Sequence, residues 1–267
     1  FPIYGNTIRV TLVSCKPQLI PKAFEKNMVL DTLSKKLHRK RSQNLYNLNP
    51  QILNKKDTLY IPFITSDSLF ISLLGDHINR SVEQAKALES PPNWNILFSN
   101  QKAMLYQAML QDSDNGVAES LLTMISQNNF EEMNIERIID SLKLKWSKWL
   151  PDPIQWVDGS GISRYNMMTP RTLIAVLKKI HSEVGFENIK KFFPKSGSSG
   201  TLKNYPVKEV YAKTGTLRHN HNLSGYWISK KGNVYVFSIM ANHFTVPISE
   251  IRHGITELLT QFQKRLK

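Results

Sequence analysis

The residues whose types and spacing best suit chemistry lie in Tyr211-Ala-Lys-Thr-Gly-Thr-Leu217 and in Asn222-Leu-Ser-Gly-Tyr-Trp227. Lys213 brings a positive charge and Thr214 a hydroxyl donor. Gly215 omits a side chain, so another backbone can come close. On one strand these three make an anion site; the plainer reading is an exposed basic edge strand. Ser113-Asp-Asn115, taken alone, is an ordinary helix cap, with Ser and Asn satisfying free amide groups at a helix start. Asp158-Gly-Ser-Gly-Ile-Ser-Arg164 is glycine-rich but lacks the Lys-Ser/Thr ending of a phosphate loop, so it reads as a tight turn that brings backbone near something. His219 and His221 have no Cys or carboxylate at ligand spacing, which points to a turn with exposed imidazoles rather than a metal site.

These residues need elements to hold them. Val207, Val210 and Tyr211 suit a strand entering Lys213. Leu223–Ser229 and Val234–Ala241 read as two more strands, joined by the polar turn Lys230-Lys231-Gly232-Asn233. Ser113–Asn115 starts a helix carrying Val117, Ala118, Leu121, Leu122 and Ile125, and a further amphipathic helix spans Asn134 to Leu144. Thr169-Pro170 opens another, with Leu173, Ile174, Val176, Leu177 and Ile180 on its apolar face. Pro194–Leu202 has the composition of a flexible linker. Ile248, Ile251, Ile255, Leu258, Leu259 and Phe262 form the stripe of a C-terminal helix.

Upstream, Thr7–Val13 alternates as a strand and Lys35–Arg41 is a basic loop or helix end. Leu59–Ile64 is a short apolar strand. Ser66-Asp67 caps a helix with Leu69, Phe70, Leu73, Leu74 and Ile78 facing inward. Asp76-His77 reads as a helix-end pair. Ser90-Pro-Pro-Asn93 is the strongest boundary signal, dividing the chain into 1–90 and 91–267. Ser99 caps a helix running from Asn100 to about Gln111, with Ala103, Met104 and Met109 inward.

The 267 residues suit one large domain or two small ones, and 41% hydrophobic content supports a core. Lys and Arg number 35 against 21 acidic residues, a net charge of +14. The basic residues are scattered, with no zinc-finger spacing or aromatic-rich RNA-binding signature, so a solvated basic surface is favoured over a nucleic-acid groove. No apolar run is long enough for a transmembrane segment. Cys15 is alone, so no internal disulfide forms; that fits a reducing compartment or an envelope protein without disulfides. The start at Phe1 rather than Met suggests a removed N-terminal part.

Taken in order, Ser113-x-Asn115, Lys213-Thr-Gly215, a strand meander and a C-terminal helix match two of the three blocks of penicillin-recognising serine enzymes, Ser-x-x-Lys, Ser-x-Asn and Lys-Thr-Gly. The chain resembles class C low-molecular-mass penicillin-binding proteins, the D-alanyl-D-alanine carboxypeptidase/endopeptidase family. Ala118-Glu119, Asp158–Arg164 with Thr169-Pro170, Gly200-Thr-Leu202 and Leu223-Ser-Gly-Tyr226 belong to the same resemblance, which is specific from about residue 95 onward. Tyr4-Gly-Asn6 and Ile61-Pro-Phe63 are similar to that family's accessory region.

The resemblance implies an α+β fold, an antiparallel sheet flanked by helices, with a small β-rich accessory piece and an incomplete N-terminal part. It implies a periplasmic or envelope protein, peptidoglycan stem peptides as substrate, β-lactams as covalent inhibitors of the complete enzyme, and no cofactor. A Ser nucleophile attacks the penultimate D-alanine carbonyl to form an acyl-enzyme, and the first-motif Lys takes its proton. Ser113 then relays a proton to the leaving amine, and Asn115 holds the substrate amide and the first-motif Lys. Lys213 sets the field and attracts the substrate carboxylate, beside Gly215, and the hydroxyls of Thr214 and Thr216 bind it. The Thr216 N–H forms half the oxyanion hole. Arg164 reaches the acidic side chain of the stem peptide.

The first motif departs from the pattern. The only Ser-x-x-Lys string is Ser99-Asn-Gln-Lys102. On one continuous helix Ser99 and Ser113 stand about 20 Å apart, too far to share a proton. Ser99 is therefore a cap, and the chain is either a C-terminal fragment of a longer enzyme or a catalytically inactive peptidoglycan-binding homologue. A basic nucleic-acid module is a third reading, which scattered charge does not favour.

Overall fold

The computed structural model describes residues 3–13, 16–33, 37–52, 58–86 and 102–265. The chain falls into two compact units, Phe1–Ile96 and Leu97–Lys267. The Ser90–Asn93 boundary signal, Ser99, Cys15 and Lys35-Lys36 lie outside the described residues.

In the first unit, β1 (Thr7–Val13), β2 (Lys16–Ile20), β3 (Met28–Leu30), β4 (His38–Arg39), β5 (Tyr46–Leu48) and β6 (Thr58–Pro62) make two three-stranded sheets, ordered β2-β1-β6 and β3-β5-β4. The alternation in β1 turns Ile8 and Val10 into the core beside Phe24, Tyr46 and Leu48. His38–Arg39 is a short strand, not the loop or helix end that its charge suggests. Helix α1 (Asp67–Ile78) is capped by Ser66, whose side chain accepts from the Leu69 N–H. Leu73 is buried and Leu69, Phe70 and Leu74 pack against the core, but Ile78, in the last turn, is exposed. The Phe63 N–H donates to the Asn6 carbonyl at 3.0 Å, joining the Tyr4–Asn6 and Ile61–Phe63 stretches.

The second unit runs α2 (Lys102–Leu110), α3 (Asn115–Phe130), α4 (Ile135–Trp146), α5 (Pro170–Val184), α6 (Phe186–Phe192), β7 (Val210–Leu217), β8 (Asn220–Ile228), β9 (Val234–Asn242) and α7 (Ile248–Arg265). The three strands form an antiparallel meander in chain order. Alternation along β7 and β8 sorts side chains to the two faces. Val210, Ala212, Leu223 and Trp227 meet Ile255 and Leu259 of α7, and Tyr211 and Tyr226 meet Leu177 of α5 and Ile189 of α6. Each fully buried large side chain stabilises by about 1.5–3 kcal/mol. Helices therefore cover both faces of the sheet, an α+β arrangement with β8 at its centre.

Asn134 caps α4 and Thr169 caps α5, with Pro170 as the first helical residue. The apolar stripes are narrower than the sequence suggests. Leu258 and Phe262 of α7, Ile125 of α3 and Met104 and Ala103 of α2 are exposed. The Gly/Ser stretch before β7 is no linker: Ser196 and Leu202 are buried, and the Ser196 N–H donates to the Val210 carbonyl at 2.9 Å.

Candidate active site

Strand β7 and the α2–α3 junction build the site. Helix α2 ends just before Gln111, and Asp114, not Ser113 or Asn115, caps α3: its carboxylate accepts from the Val117 N–H at 3.0 Å. Ser113 itself stands at φ +59°, the left-handed region where a non-glycine residue costs on the order of 1–3 kcal/mol. That turn releases its hydroxyl from capping. Lys213 lies on the same face of β7 as Tyr211, and its Nζ donates to Ser113 Oγ at 2.7 Å and to the Thr214 carbonyl at 2.9 Å. Burial depresses the Lys213 pKa, because leaving water penalises the ammonium. Among the described residues no acidic side chain forms an ion pair with it. The result is a half-buried cation without a counter-ion, suited to an anionic ligand.

A cleft of ≈ 620 Å³ opens over this pair, lined by Ser113, Asn115, Lys213, Thr214, Gly215 and Thr216 together with Thr201 and Arg252. The structure thus brings six of the seven sequence-derived site residues into one cleft. The seventh, Arg164, lines a neighbouring cleft of ≈ 590 Å³, which Gly161, Gly215, Thr216 and Leu217 also line. Its guanidinium donates to the Arg218 carbonyl at 3.0 Å. No other backbone among the described residues packs over Gly215, where a Cβ would meet nothing within 4 Å and the space is open to the cleft. Close approach occurs instead at Gly200, where a Cβ would sit 2.4 Å from the Gln111 carbonyl oxygen, and at Gly225, 2.2 Å from that of Tyr211. Through Gly200 and the Thr201 N–H, which donates to Gln111 at 3.2 Å, the supposed linker is tied to the end of α2.

The hydroxyl-bearing side of β7 has its own support. Thr214 donates to Thr201 Oγ1 at 2.9 Å. Thr216 pairs across the sheet with His221, Oγ1 to Nδ1 at 2.8 Å, and the Tyr205 hydroxyl lies 2.7 Å from His221 Nε2. His221 is fully buried, so the reading of two exposed imidazoles holds only for His219. Burial first, and the charge of Arg252 second, hold His221 below the usual histidine range. Sequence reasoning assigns no site role to His221, which it reads as a turn imidazole, or to Thr201, Tyr205 and Arg252. The recoverable signal was hairpin register: Leu217 pairs with Asn220, which puts His221 opposite Thr216.

The 158–164 loop closes the other side. Asp158 accepts from the N–H groups of Gly161 (2.6 Å) and Ser163 (2.7 Å), from Asn166 Nδ2 (2.9 Å) and from Ser160 Oγ (3.3 Å). Gly161, at φ +74°, makes the turn possible. The loop rests on α3: the Ser160 N–H donates to Glu119 at 3.1 Å, and Gly159 abuts the Ala118 carbonyl. Among the described residues no group of three or more His, Cys, Asp or Glu side chains could hold a metal.

The family model described as the D-Ala-D-Ala carboxypeptidase 3 (S13) family matches residues 71–262. The chain is 26% identical over 177 residues to the D-alanyl-D-alanine carboxypeptidase DacB of Haemophilus influenzae, covering 61% of this chain and 36% of that protein. It is 35% identical over 121 residues to penicillin-sensitive carboxypeptidase A of Dictyostelium discoideum, covering 40% of this chain and 23% of that protein. The chain therefore matches well under half the length of these relatives. The crystal structure of penicillin binding protein 4 from Haemophilus influenzae has a similar fold, with a TM-score of 0.67 at 19% identity over 97% of this chain and 66% of that one. The same protein complexed with a β-lactam gives 0.64 at 20% identity over 98% and 69%.

Proposed function

The chain belongs to the D-Ala-D-Ala carboxypeptidase 3 (S13) family, and from that premise we propose that it forms part of a serine-type D-Ala-D-Ala carboxypeptidase, also able to act as an endopeptidase, on peptidoglycan stem peptides in the periplasm or cell envelope. The observation that carries the reading is the Lys213–Ser113 contact of 2.7 Å inside a cleft that Asn115 and Thr216 also line.

In this reading the chain supplies the second and third motifs, and a Ser-x-x-Lys serine on a segment outside it is the nucleophile. That serine attacks the penultimate D-alanine carbonyl, and its proton passes to the neighbouring lysine. Lys213 donates to Ser113 Oγ, so the Ser113 hydrogen is free to point into the cleft. Ser113 passes this proton to the departing amine as the carbon–nitrogen bond breaks, and takes up in exchange the proton that the nucleophile gave to its lysine. Lys213 then carries the field that draws the substrate carboxylate, which the Thr216 hydroxyl binds beside Gly215, joined by the Thr214 hydroxyl once its hydrogen turns from Thr201 to the ligand. Asn115 holds the substrate amide, and the Thr216 N–H contributes to the oxyanion hole. Arg164, in the adjoining cleft, meets the acidic side chain of the stem peptide. β-Lactams acylate the complete enzyme. The first unit serves as the accessory region, with division near residue 90 and the transpeptidase-like part following.

A second reading is a catalytically inactive peptidoglycan-binding homologue, favoured by the single Ser-x-x-Lys string at Ser99, next to a helix that begins at Lys102. Fluorescent-penicillin labelling separates the two. The comparison is between this chain and the same chain preceded by its upstream coding sequence. Labelling of the longer product alone supports the enzyme; absence of labelling in both leaves the binder.

A further inference from the structure

We propose that His221 is a positioning residue that turns the Thr216 hydroxyl hydrogen into the cleft and so makes the site selective for a ligand ending in a carboxylate. The inference rests on the function proposed above and deepens it.

Three side chains share a limited number of hydrogens. Thr216 Oγ1 meets His221 Nδ1 at 2.8 Å, and His221 Nε2 meets the Tyr205 hydroxyl at 2.7 Å. His221 and Tyr205 are buried, so water does not substitute for the bond between them. Arg252, on α7, lines a pocket together with Tyr205, and its positive charge acts on the Tyr205 hydroxyl. A guanidinium offers no acceptor, and the hydroxyl's hydrogen bond is to His221 Nε2, so the Tyr205 oxygen faces the cation and its hydrogen goes to that nitrogen. A neutral imidazole carries one N–H, which must then sit on Nδ1 and donate to Thr216 Oγ1. Burial and the nearby guanidinium both favour the neutral ring. Thr216 has one hydrogen and has used its oxygen to accept, so that hydrogen is free for the cleft.

The opposite order gives the opposite site. With the proton on Nε2, the Thr216 hydrogen would be consumed by Nδ1, and only oxygen lone pairs would face the ligand. A carboxylate would be repelled and an amide or amine N–H preferred. The direction of the two hydrogen bonds through the buried His221 ring, biased by the charge of Arg252, therefore sets the sign of the group the cleft accepts. The charges of Lys213 and Arg252 lining the same cleft act in the same sense.

Long-range 1H–15N correlation on the 267-residue chain at pH 7 tests this, with His221 identified among the seven histidines by its loss in His221→Asn. The expected result is the Nδ1–H tautomer, shifting toward Nε2–H in Tyr205→Phe. N-acetyl-D-Ala-D-Ala, titrated by chemical shift, should bind roughly 3–10-fold more weakly to Tyr205→Phe and His221→Leu. His221→Asn, whose amide NH₂ replaces the Nδ1–H donor, should bind within about twofold of wild type. An Nε2–H tautomer in the wild-type chain overturns the inference, as does unchanged peptide binding in both weakening variants. An Nδ1–H tautomer in a chain that binds no peptide upholds the hydrogen-bond order and instead overturns the stem-peptide assignment.

Discussion

Lys213 Nζ lies 2.7 Å from Ser113 Oγ, although 100 residues separate them in sequence. The contact needs both a strand that turns the Lys213 side chain toward the α2–α3 junction and a serine in left-handed backbone conformation, free of its capping duty. Among the described residues no acidic side chain forms an ion pair with Lys213, and Asp114, next to Ser113, is engaged in capping α3.

Lys213→Met should therefore separate binding from stability. The wild-type ammonium gives up hydration without a counter-ion, so replacing it with an apolar side chain removes a desolvation penalty. The melting temperature should stay level or rise. N-acetyl-D-Ala-D-Ala binding should weaken by about 10–100-fold, the loss of a charge-assisted contact at a partly buried site. A parallel fall in both quantities would make Lys213 a structural residue.

The same burial sets an alkaline limit. The folded-state pKa of Lys213 is lowered while its unfolded value stays near the usual ~10.4. Between the two values the unfolded chain binds more protons, so this residue's contribution to stability rises with pH across that window. Carboxylate binding moves the other way, because the site loses its charge there. Peptide titration from pH 7 upward should show affinity falling below pH ~10.4, and Lys213→Met should abolish that limb.

Much of this was legible from local signals. The caps of α4 and α5, Pro170 and the alternation of β7 to β9 all act within a few residues. The rest depended on contacts distant in sequence. Asn220–Asn222 look like turn residues because they are polar, yet they are strand residues of β8 whose partners lie across the sheet. Gly200 looks like linker composition, yet it is glycine where the Gln111 backbone leaves no room for a Cβ. Ser113 looks like a cap because its neighbour Asp114 is one.

Gly225→Ala tests how tightly the sheet holds Lys213 in place. A Cβ there would fall 2.2 Å from the Tyr211 carbonyl oxygen and 2.4 Å from Ala212 Cα, both backbone atoms of β7. The strand must shift, at a cost of about 1–3 kcal/mol. That shift moves the residue before Lys213 and should lengthen the Lys213–Ser113 contact. Urea titration should show the stability loss, and the Lys213 amide signal should move more than those of α4. An alanine variant as stable as wild type would mean that β7 yields at no cost and does not fix the lysine.

Asp158 gives the acid-side counterpart. Burial alone would raise its pKa, but bonds from Ser163, Asn166, Gly161 and Ser160 outweigh it and hold the carboxyl below the usual range. A depressed folded value means that its contribution is fully present above the unfolded pKa of ~3.9 and is lost as pH falls through the folded one. The loss should be local, because these bonds shape the 158–166 loop rather than the sheet. Asp158→Asn should imitate the acid form at neutral pH, since an amide presents one donor edge to two backbone N–H donors that both need an acceptor. Hydrogen exchange at Gly161 and Ser163 should then speed up by about tenfold or more, the loss of roughly one charge-assisted bond, while α5 amides keep their protection. Because Gly161 lines both clefts, peptide affinity should fall with the loop. Unchanged exchange at Gly161 and Ser163 would show that Glu119 and α3, not Asp158, hold the loop against the site.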